Sequence, residues 1–335
     1  MTEIAASPRT SVGWAVLIFC GVMLQGFPLS AGPLEPAVFI PQWIPQAQFA
    51  GYYVAYEKGF YRRLGLDLRI LTGGPERPAS DWLERGLADF GSLMLAQAIK
   101  KRAEGIRLVH IGQIVQQSAL LLVAKKSRGI RTPQDLQGKK VGLWIDEFRI
   151  QPQAFFQRHR LTVRPVSQST NVNVFLREGV DAASATLYNE YHLILNAGMN
   201  PEELTLFPFS EQGLNFPEDG LYCLEKTFEK NPDRVCRFVR ASLEGWQYAF
   251  DHPEEALDIV MKYAQAAHTG TNRAHQRWML QKMRELIILP GADRIPGQLG
   301  ENDYARVGQT MLDQGIIAAV PPFPGFRRDC LSHGK

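Results

Sequence analysis

Three short stretches carry side chains whose types and spacing suit the recognition of a small molecule. In the run from Gln42 to Tyr61, QWIPQAQFAGYYVAYEKGFY, Trp43, Gln46 and Gln48 crowd a turn around Pro45, and Tyr52 follows in a helical pattern shared with Phe49, Tyr53 and Tyr56. An indole offers a flat face, and a side-chain amide both donates and accepts hydrogen bonds. This set therefore suits a flat, polar ligand of little charge. A second set is Tyr188, Asn189 and Glu190, just past a run of small residues. It places an aromatic face beside an amide and a carboxylate, which accepts from an exocyclic amine or a ring N–H. Ser92 closes the short strand that begins at Asp89 and opens a helix, where a hydroxyl and free backbone N–H groups suit an oxygen acceptor or anion. Gln116, after the strand ending at Gln113, adds a further amide. The plainer alternatives are the core face of an amphipathic helix for Phe49, Tyr53 and Tyr56, a solvated position for Glu190, and a helix cap without ligand for Ser92.

Catalytic patterns are missing. Seven histidines occur without metal-ligand spacing, and there is no HExxH, P-loop or GxSxG motif. Neither a metal nor a cofactor is expected. With 335 residues, 45% of them apolar and 10% aromatic, the chain can bury a sizeable core. A net charge of +3 without a basic stripe argues against nucleic acid as a partner.

The elements that must position these side chains alternate along the chain. Leu66–Leu71 alternates as a half-buried strand, and Ala119–Ala124 (ALLLVA) is a continuous apolar run of the kind buried on both faces of a parallel sheet. Helical patterns at Pro78–Gly86 and Leu93–Arg102 separate the strands, which argues for a doubly wound α/β unit. The pattern restarts at Thr132-Pro133, a cap residue followed by proline at the first helical position. It then runs through strands at Val141–Trp144, Thr162–Ser167, Ala182–Thr186 and Leu204–Phe207. Beyond Leu221–Leu224 the chain turns helical, with starts at Asn231, Pro253, Asn272 and Asp303. A complete inserted unit implies two α/β lobes: residues 33–123 plus 221–335 form the first, and 124–220 the second. The crossings are expected near Leu122–Lys125 and Asp219–Leu224, with a ligand cleft between the lobes.

At the N-terminus, Arg9 precedes an apolar run from Val12 to Leu29 and the small residues Ser30-Ala31-Gly32. This reads as a signal peptide over residues 1–31, with an uncleaved anchor as the alternative. Either way the folded part faces a periplasmic or other extracytoplasmic space. Cys223, Cys236 and Cys330 show no CxxC spacing, and Cys223 with Cys236 is the pair nearest in sequence.

Taken together, WIPQAQFAGYYVAYEKGFYRRLGLDL, DFGS, TPQDLQGKKVGLW, FLREGVDAASATLYNEYHLI and FEKNPDRVCRFVRASLEGWQYAFDHPEEAL resemble the periplasmic substrate-binding proteins of ABC importers. The branch is the one that binds formylaminopyrimidine and similar thiamin pyrimidine precursors, and it is shared with the fungal thiamin-pyrimidine synthase. The resemblance implies a type II periplasmic binding protein fold and a pyrimidine-type ligand held by lobe closure. It further implies delivery to a membrane permease by a monomer; the ligand contacts expected from side-chain chemistry are Trp43, Gln46, Gln48, Tyr52, Ser92, Gln116, Tyr188, Asn189 and Glu190. The fungal enzyme consumes its own pyridoxal phosphate and a histidine from a stretch like WQPTPYH. Phe49 stands at that histidine's place here, and the enzyme's CCCFC run has no counterpart beyond Cys223. The resemblance therefore implies a binder rather than an enzyme. A synthase, a sulfonate or nitrate binder and a ligand-sensing module are the alternatives.

Overall fold

The computed structural model describes residues 1–2, 33–292 and 295–332; the expected signal peptide lies almost wholly outside them. Among the described residues, ten strands form two five-stranded sheets. The first contains β1 (Glu35–Ile40), β2 (Leu66–Ile70), β3 (Phe90–Met94), β4 (Leu108–Gln113) and β10 (Asp219–Leu224), in the order β2-β1-β3-β10-β4. The second contains β5 (Leu120–Lys125), β6 (Lys140–Leu143), β7 (Arg164–Ser167), β8 (Ala182–Thr186) and β9 (Leu204–Pro208), in the order β7-β6-β8-β5-β9. Each sheet is mixed. β1 runs parallel to β2 and β3, whereas β10 is antiparallel to β3 and β4. In the second sheet, β6 is parallel to β7 and β8, and β5 is antiparallel to β8 and β9.

This topology moves both crossings. The runs 122–125 and 219–224, read from the sequence as crossings, belong to β5 and β10. The chain passes between the sheets over residues 114–119 and returns over 209–218. The reason lies in the apolar run itself. Leu120–Lys125 is buried throughout and sits between two neighbours, where a strand with two apolar faces belongs. Its partners are antiparallel, not parallel as its burial suggested. Similarly, Leu93 and Met94 extend β3, so the next helix begins at Leu95.

The helix that follows the aromatic turn, Ala50–Glu57, is clamped to the long helix Pro232–Asp251. The two backbones approach so closely that a Cβ on Gly245 would fall 2.1 Å from the Gly51 carbonyl oxygen. Tyr52 packs beside this crossing, with ring centroids 4.7 Å from Phe39 and 5.8 Å from Trp246. Asn231 caps the long helix by accepting from Arg234 N–H, and Pro232 occupies its first turn, as the sequence signature indicated. The expected Thr132 start is a short 3₁₀ turn, closed reciprocally by Thr132 and Asp135. Near its end the chain returns to the first lobe. Cys330 forms a disulfide with Cys236, while Cys223 is a buried free thiol. The pairing nearest in sequence is not made, because Cys223 lies within β10.

Candidate functional site

In the first sheet, the carboxyl ends of the parallel strands and the start of β10 meet at one edge, and the turn after β1 folds over it. Pro41 ends the strand and Gln42–Gln46 form the turn. A 3₁₀ segment, Ala47–Phe49, then leads into the Ala50–Glu57 helix. Gln42 N–H donates to Ser92 Oγ (3.0 Å), and Ala47 N–H donates to Gln276 Oε1 (2.6 Å), which fixes the turn against two other elements.

The amides of this turn converge on one acid. Gln46 Nε2 donates to Gln48 Oε1 (2.6 Å), Gln48 Nε2 donates to Asp219 Oδ2 (2.8 Å), and Gln42 Nε2 donates to Asp219 Oδ1. Asp219 is 2% exposed, and its backbone oxygen accepts from Ile114 and Val115 N–H groups of the first crossing. Its neighbour Glu218 braces both crossings, accepting from Ala119 N–H (2.6 Å) and Ser118 Oγ (3.3 Å). Gln151 Nε2 of the second lobe donates to the same Ser118 hydroxyl (2.8 Å). Burial pushes the Asp219 carboxyl up to about 7, against the pull of the Gln48 and Gln42 amides. Burial likewise pushes Glu218 up to about 8, and the charge of Asp219 adds to the rise. Neither acid forms an ion pair among the described residues; amides, a hydroxyl and backbone N–H groups are what face them.

On the second lobe, β8 consists of small residues and its end turns sharply through Leu187, Tyr188 and Asn189 into the helix Glu190–Asn196. Glu190 folds back on the strand end. Its Oε2 accepts from Thr186 N–H (2.9 Å) and Thr186 Oγ1 (2.7 Å), and its Oε1 accepts from Asn189 Nδ2 (2.7 Å). Burial raises the Glu190 carboxyl, and these donors offset part of the rise. Tyr188 is 6% exposed and packs into the first lobe's core beside Ile114, Val115 and Ala119. Burial drives its hydroxyl well above the usual tyrosine range, reinforced by the charges of Glu218, Asp219 and Glu190. The lobes are therefore shut at this point, with Tyr188 facing the acids of the opposite jaw. Trp278, on the first lobe's helix Arg273–Ile287, donates from Nε1 to the Leu187 carbonyl (3.0 Å).

The sequence candidates divide accordingly. Gln46 and Gln48 sit together on one jaw with half-buried Trp43 nearby, and Tyr188, Asn189 and Glu190 sit together on the other. Tyr52 is enclosed by the first lobe's core. Ser92 lies within β3, with the helix starting at Leu95, so it lacks the helix N-terminus expected behind it. Its hydroxyl instead holds the Gln42 backbone. Gln116 lies on the crossing, where its Nε2 donates to the Gln113 carbonyl (3.1 Å) and its N–H to Leu286 (3.0 Å). Sequence reasoning missed Asp219, Glu218 and Gln42 as site residues. The signal present was two adjacent acids immediately before an apolar run. Among the described residues, no cluster of three or more His, Cys, Asp or Glu side chains fits a metal, and no helix is long and apolar enough to cross a membrane.

Two mixed five-stranded sheets, the second built from the strands β5–β9 inserted between β4 and β10 of the first and joined to it by paired crossings, define the periplasmic-binding-protein fold. The periplasmic aliphatic sulphonate binding protein SsuA of Escherichia coli superposes with a TM-score of 0.68 at 16% identity, covering 87% of this chain and 97% of that one. The family described as NMT1/THI5 like matches residues 46–256, and the chain belongs to that family. Among curated relatives, the riboflavin-binding protein RibY of Chloroflexus aurantiacus is 24% identical over 301 residues, 85% of this chain and 83% of the relative. A 4-amino-5-hydroxymethyl-2-methylpyrimidine phosphate synthase of Legionella pneumophila is 26% identical over 237 residues, 65% of this chain and 70% of the relative.

Proposed function

We propose that the chain is the extracytoplasmic substrate-binding component of an ABC importer, and that its lobes close on a small heteroaromatic molecule presenting the edge of a pyrimidine-type ring. A thiamin pyrimidine precursor is the preferred ligand. The observation that carries this reading is the buried Asp219, with Glu218 beside it, facing donors that are all uncharged. A carboxylate buried without a cation is costly, and an amino-substituted ring supplies N–H donors, or a proton, to meet it. An anionic ligand would meet the opposite field. Above about pH 7, where Asp219 ionises, a negative charge 4 Å from its carboxylate is unfavourable by about 4 kcal/mol at an effective dielectric of about 20, which argues against sulfonate and nitrate. Trp43 on one jaw and Tyr188 on the other supply faces for the ring, and Gln46, Gln48, Asn189 and Glu190 complete the polar set. Only a closed cleft contacts the ligand from both lobes, so binding shifts the protein toward closure.

Several further observations support the reading. Phe49, at the place of the synthase's histidine, is fully buried in the core and carries no nitrogen, which favours binding over synthesis. The Cys236–Cys330 disulfide suits an oxidising, extracytoplasmic compartment. The partner in transport would be a membrane permease, with the binding protein acting as a monomer. A flavin is the second reading, favoured by the similarity to a riboflavin-binding protein over 85% of the chain. An isoalloxazine edge presents two carbonyls flanking one N–H, so it would engage the glutamine amides through its carbonyls and offer Asp219 a single donor. The test is a thermal-shift panel on the mature protein with aminopyrimidines, riboflavin, alkanesulfonates and nitrate. A bound ligand at 100 times its Kd adds about 2.7 kcal/mol of stability. A shift with an alkanesulfonate and none with any heteroaromatic compound would overturn the proposal.

A further inference from the structure

The second contact between the lobes is built from two histidines. His275 stands in the first turn of the Arg273–Ile287 helix on the first lobe, and His192 in the first turn of the Glu190–Asn196 helix on the second. Their Nδ1 atoms are 2.8 Å apart, and the rings lie nearly parallel, 5.1 Å between centroids at 12°. Trp278 stacks on His192 at 4.7 Å and 7°. On its other side, His275 Nε2 is 2.8 Å from Asn189 Oδ1.

The protons follow from the partners. Asn189 directs its Nδ2 to Glu190 Oε1, so its oxygen faces His275, and His275 Nε2 must carry a hydrogen. A neutral His275 then offers a bare Nδ1, and His192 Nδ1–H donates to it. One hydrogen therefore lies between the two Nδ1 atoms. Charging both rings would place a hydrogen on each and turn the bond into a repulsion. We propose that His192 and His275 form a one-proton clasp between the lobes, in which His275 positions Asn189 and Glu190 for ligand, so that acid opens the cleft and releases what it holds.

The surroundings oppose charge on either ring. Each histidine stands in the first turn of its own helix, where the helix dipole disfavours a positive charge. The nearest carboxylate, Glu190, is turned to Thr186 and Asn189. The Asn196 amide lies 3.3 Å from His192 Nδ1 and can turn its oxygen to that N–H. Lys282 lies over the Trp278 ring and pairs with Glu285. Arg273 and Arg277 pair with Glu254 and Asp258 of the adjoining helix Pro253–Ala266. Burial, with the nearby His192 ring adding to it, pushes the His275 imidazole down to about 4, and burial lowers His192 as well. A group whose value is depressed in the closed state favours closure above its ordinary value and withdraws that support as pH falls. For His275 the window runs from 6.5 down to about 4. One such group weakens closure about 30-fold at pH 5 relative to pH 7.5.

The role in positioning a ligand rests on the function proposed above; the clasp itself does not, and the experiment separates them. In ligand-free mature protein, lobe separation is followed by energy transfer between dyes on the two lobes from pH 8 to pH 4.5. The histidine Nδ1 atoms are titrated by ¹⁵N NMR in parallel. The expected result is opening below about pH 6, with one protonated and one bare Nδ1 at pH 7.5. His275→Gln bridges the same neighbours without taking charge and should lose most of the opening that the wild type shows between pH 6 and pH 4.5. The clasp is overturned if both rings titrate near their ordinary value and lobe separation ignores pH, an outcome readable on the wild type even should the variant fail to fold. In the second arm, 4-amino-5-hydroxymethyl-2-methylpyrimidine is titrated at pH 7.5 and pH 5. Opening by acid with no binding of this pyrimidine at either pH supports the clasp and sinks the ligand reading alone.

Discussion

Replacing Asp219 by asparagine probes the floor of the cleft through both stability and binding. Burial holds the Asp219 carboxyl at about 7, whereas the unfolded chain ionises near 3.8. An acid whose folded value is raised stabilises the fold fully below its unfolded value, and that contribution is lost as pH rises through the folded value. For Asp219 alone the loss between pH 3.8 and about 7 corresponds to about 4 kcal/mol, at about 1.4 kcal/mol per pH unit. The charge of Asp219 also raises Glu218, so the substitution should relax its neighbour too. Urea denaturation of wild type and Asp219→Asn at half-unit steps from pH 4 to pH 8 reads this directly. The wild-type-minus-variant difference should fall steadily across that window, while the histidines cancel because both proteins carry them. In binding, loss of a charge-assisted hydrogen bond weakens an aminopyrimidine by about 1.5–3 kcal/mol, or about 10- to 150-fold. A ring edge made of carbonyls should be spared. A pH-independent stability difference, or undiminished aminopyrimidine binding, would refute the reasoning.

Other substitutions test the frame around the site. Glu190→Gln keeps one oxygen for both Thr186 donors but sets its NH2 group against Asn189 Nδ2, with an expected loss of about 1–3 kcal/mol in urea denaturation and weaker ligand binding in calorimetry; unaltered binding would remove Glu190 from the site. Gly245→Ala drives a methyl to 2.1 Å from the Gly51 carbonyl oxygen, where backbone must move, and should lower stability by about 1–3 kcal/mol or more. Reducing the Cys236–Cys330 disulfide, whose cysteines are 94 residues apart, should lower stability by about 4–5 kcal/mol on the chain-entropy model, measured by denaturation with and without a reductant.

The order of elements was legible because each carries local signals. Thr132-Pro133, Asn231-Pro232 and the alternation at Leu66 act within a few residues of themselves. The crossings were not, since an apolar run such as Leu120–Lys125 declares a strand without declaring which sheet will take it. The site shows the same limit. Gln46, Gln48, Tyr188, Asn189 and Glu190 stood out as clusters along the chain, but Asp219 acquires its meaning from Gln42 and Gln48, 177 and 171 residues away. His275 meets Asn189 across 86 residues, and no spacing rule reaches that far. Ser92 was misjudged for a smaller reason. A shift of two residues in the helix start, from Leu93 to Leu95, turned an expected anion contact into a brace for the Gln42 backbone.

A crystal structure of the mature protein grown with 4-amino-5-hydroxymethyl-2-methylpyrimidine tests the central claim most directly. The expected electron density places the ring between Trp43 and Tyr188, with its amino edge within hydrogen-bonding distance of the Asp219 carboxylate. An empty cleft at saturating pyrimidine, or a ring bound without contact to Asp219, would contradict the account.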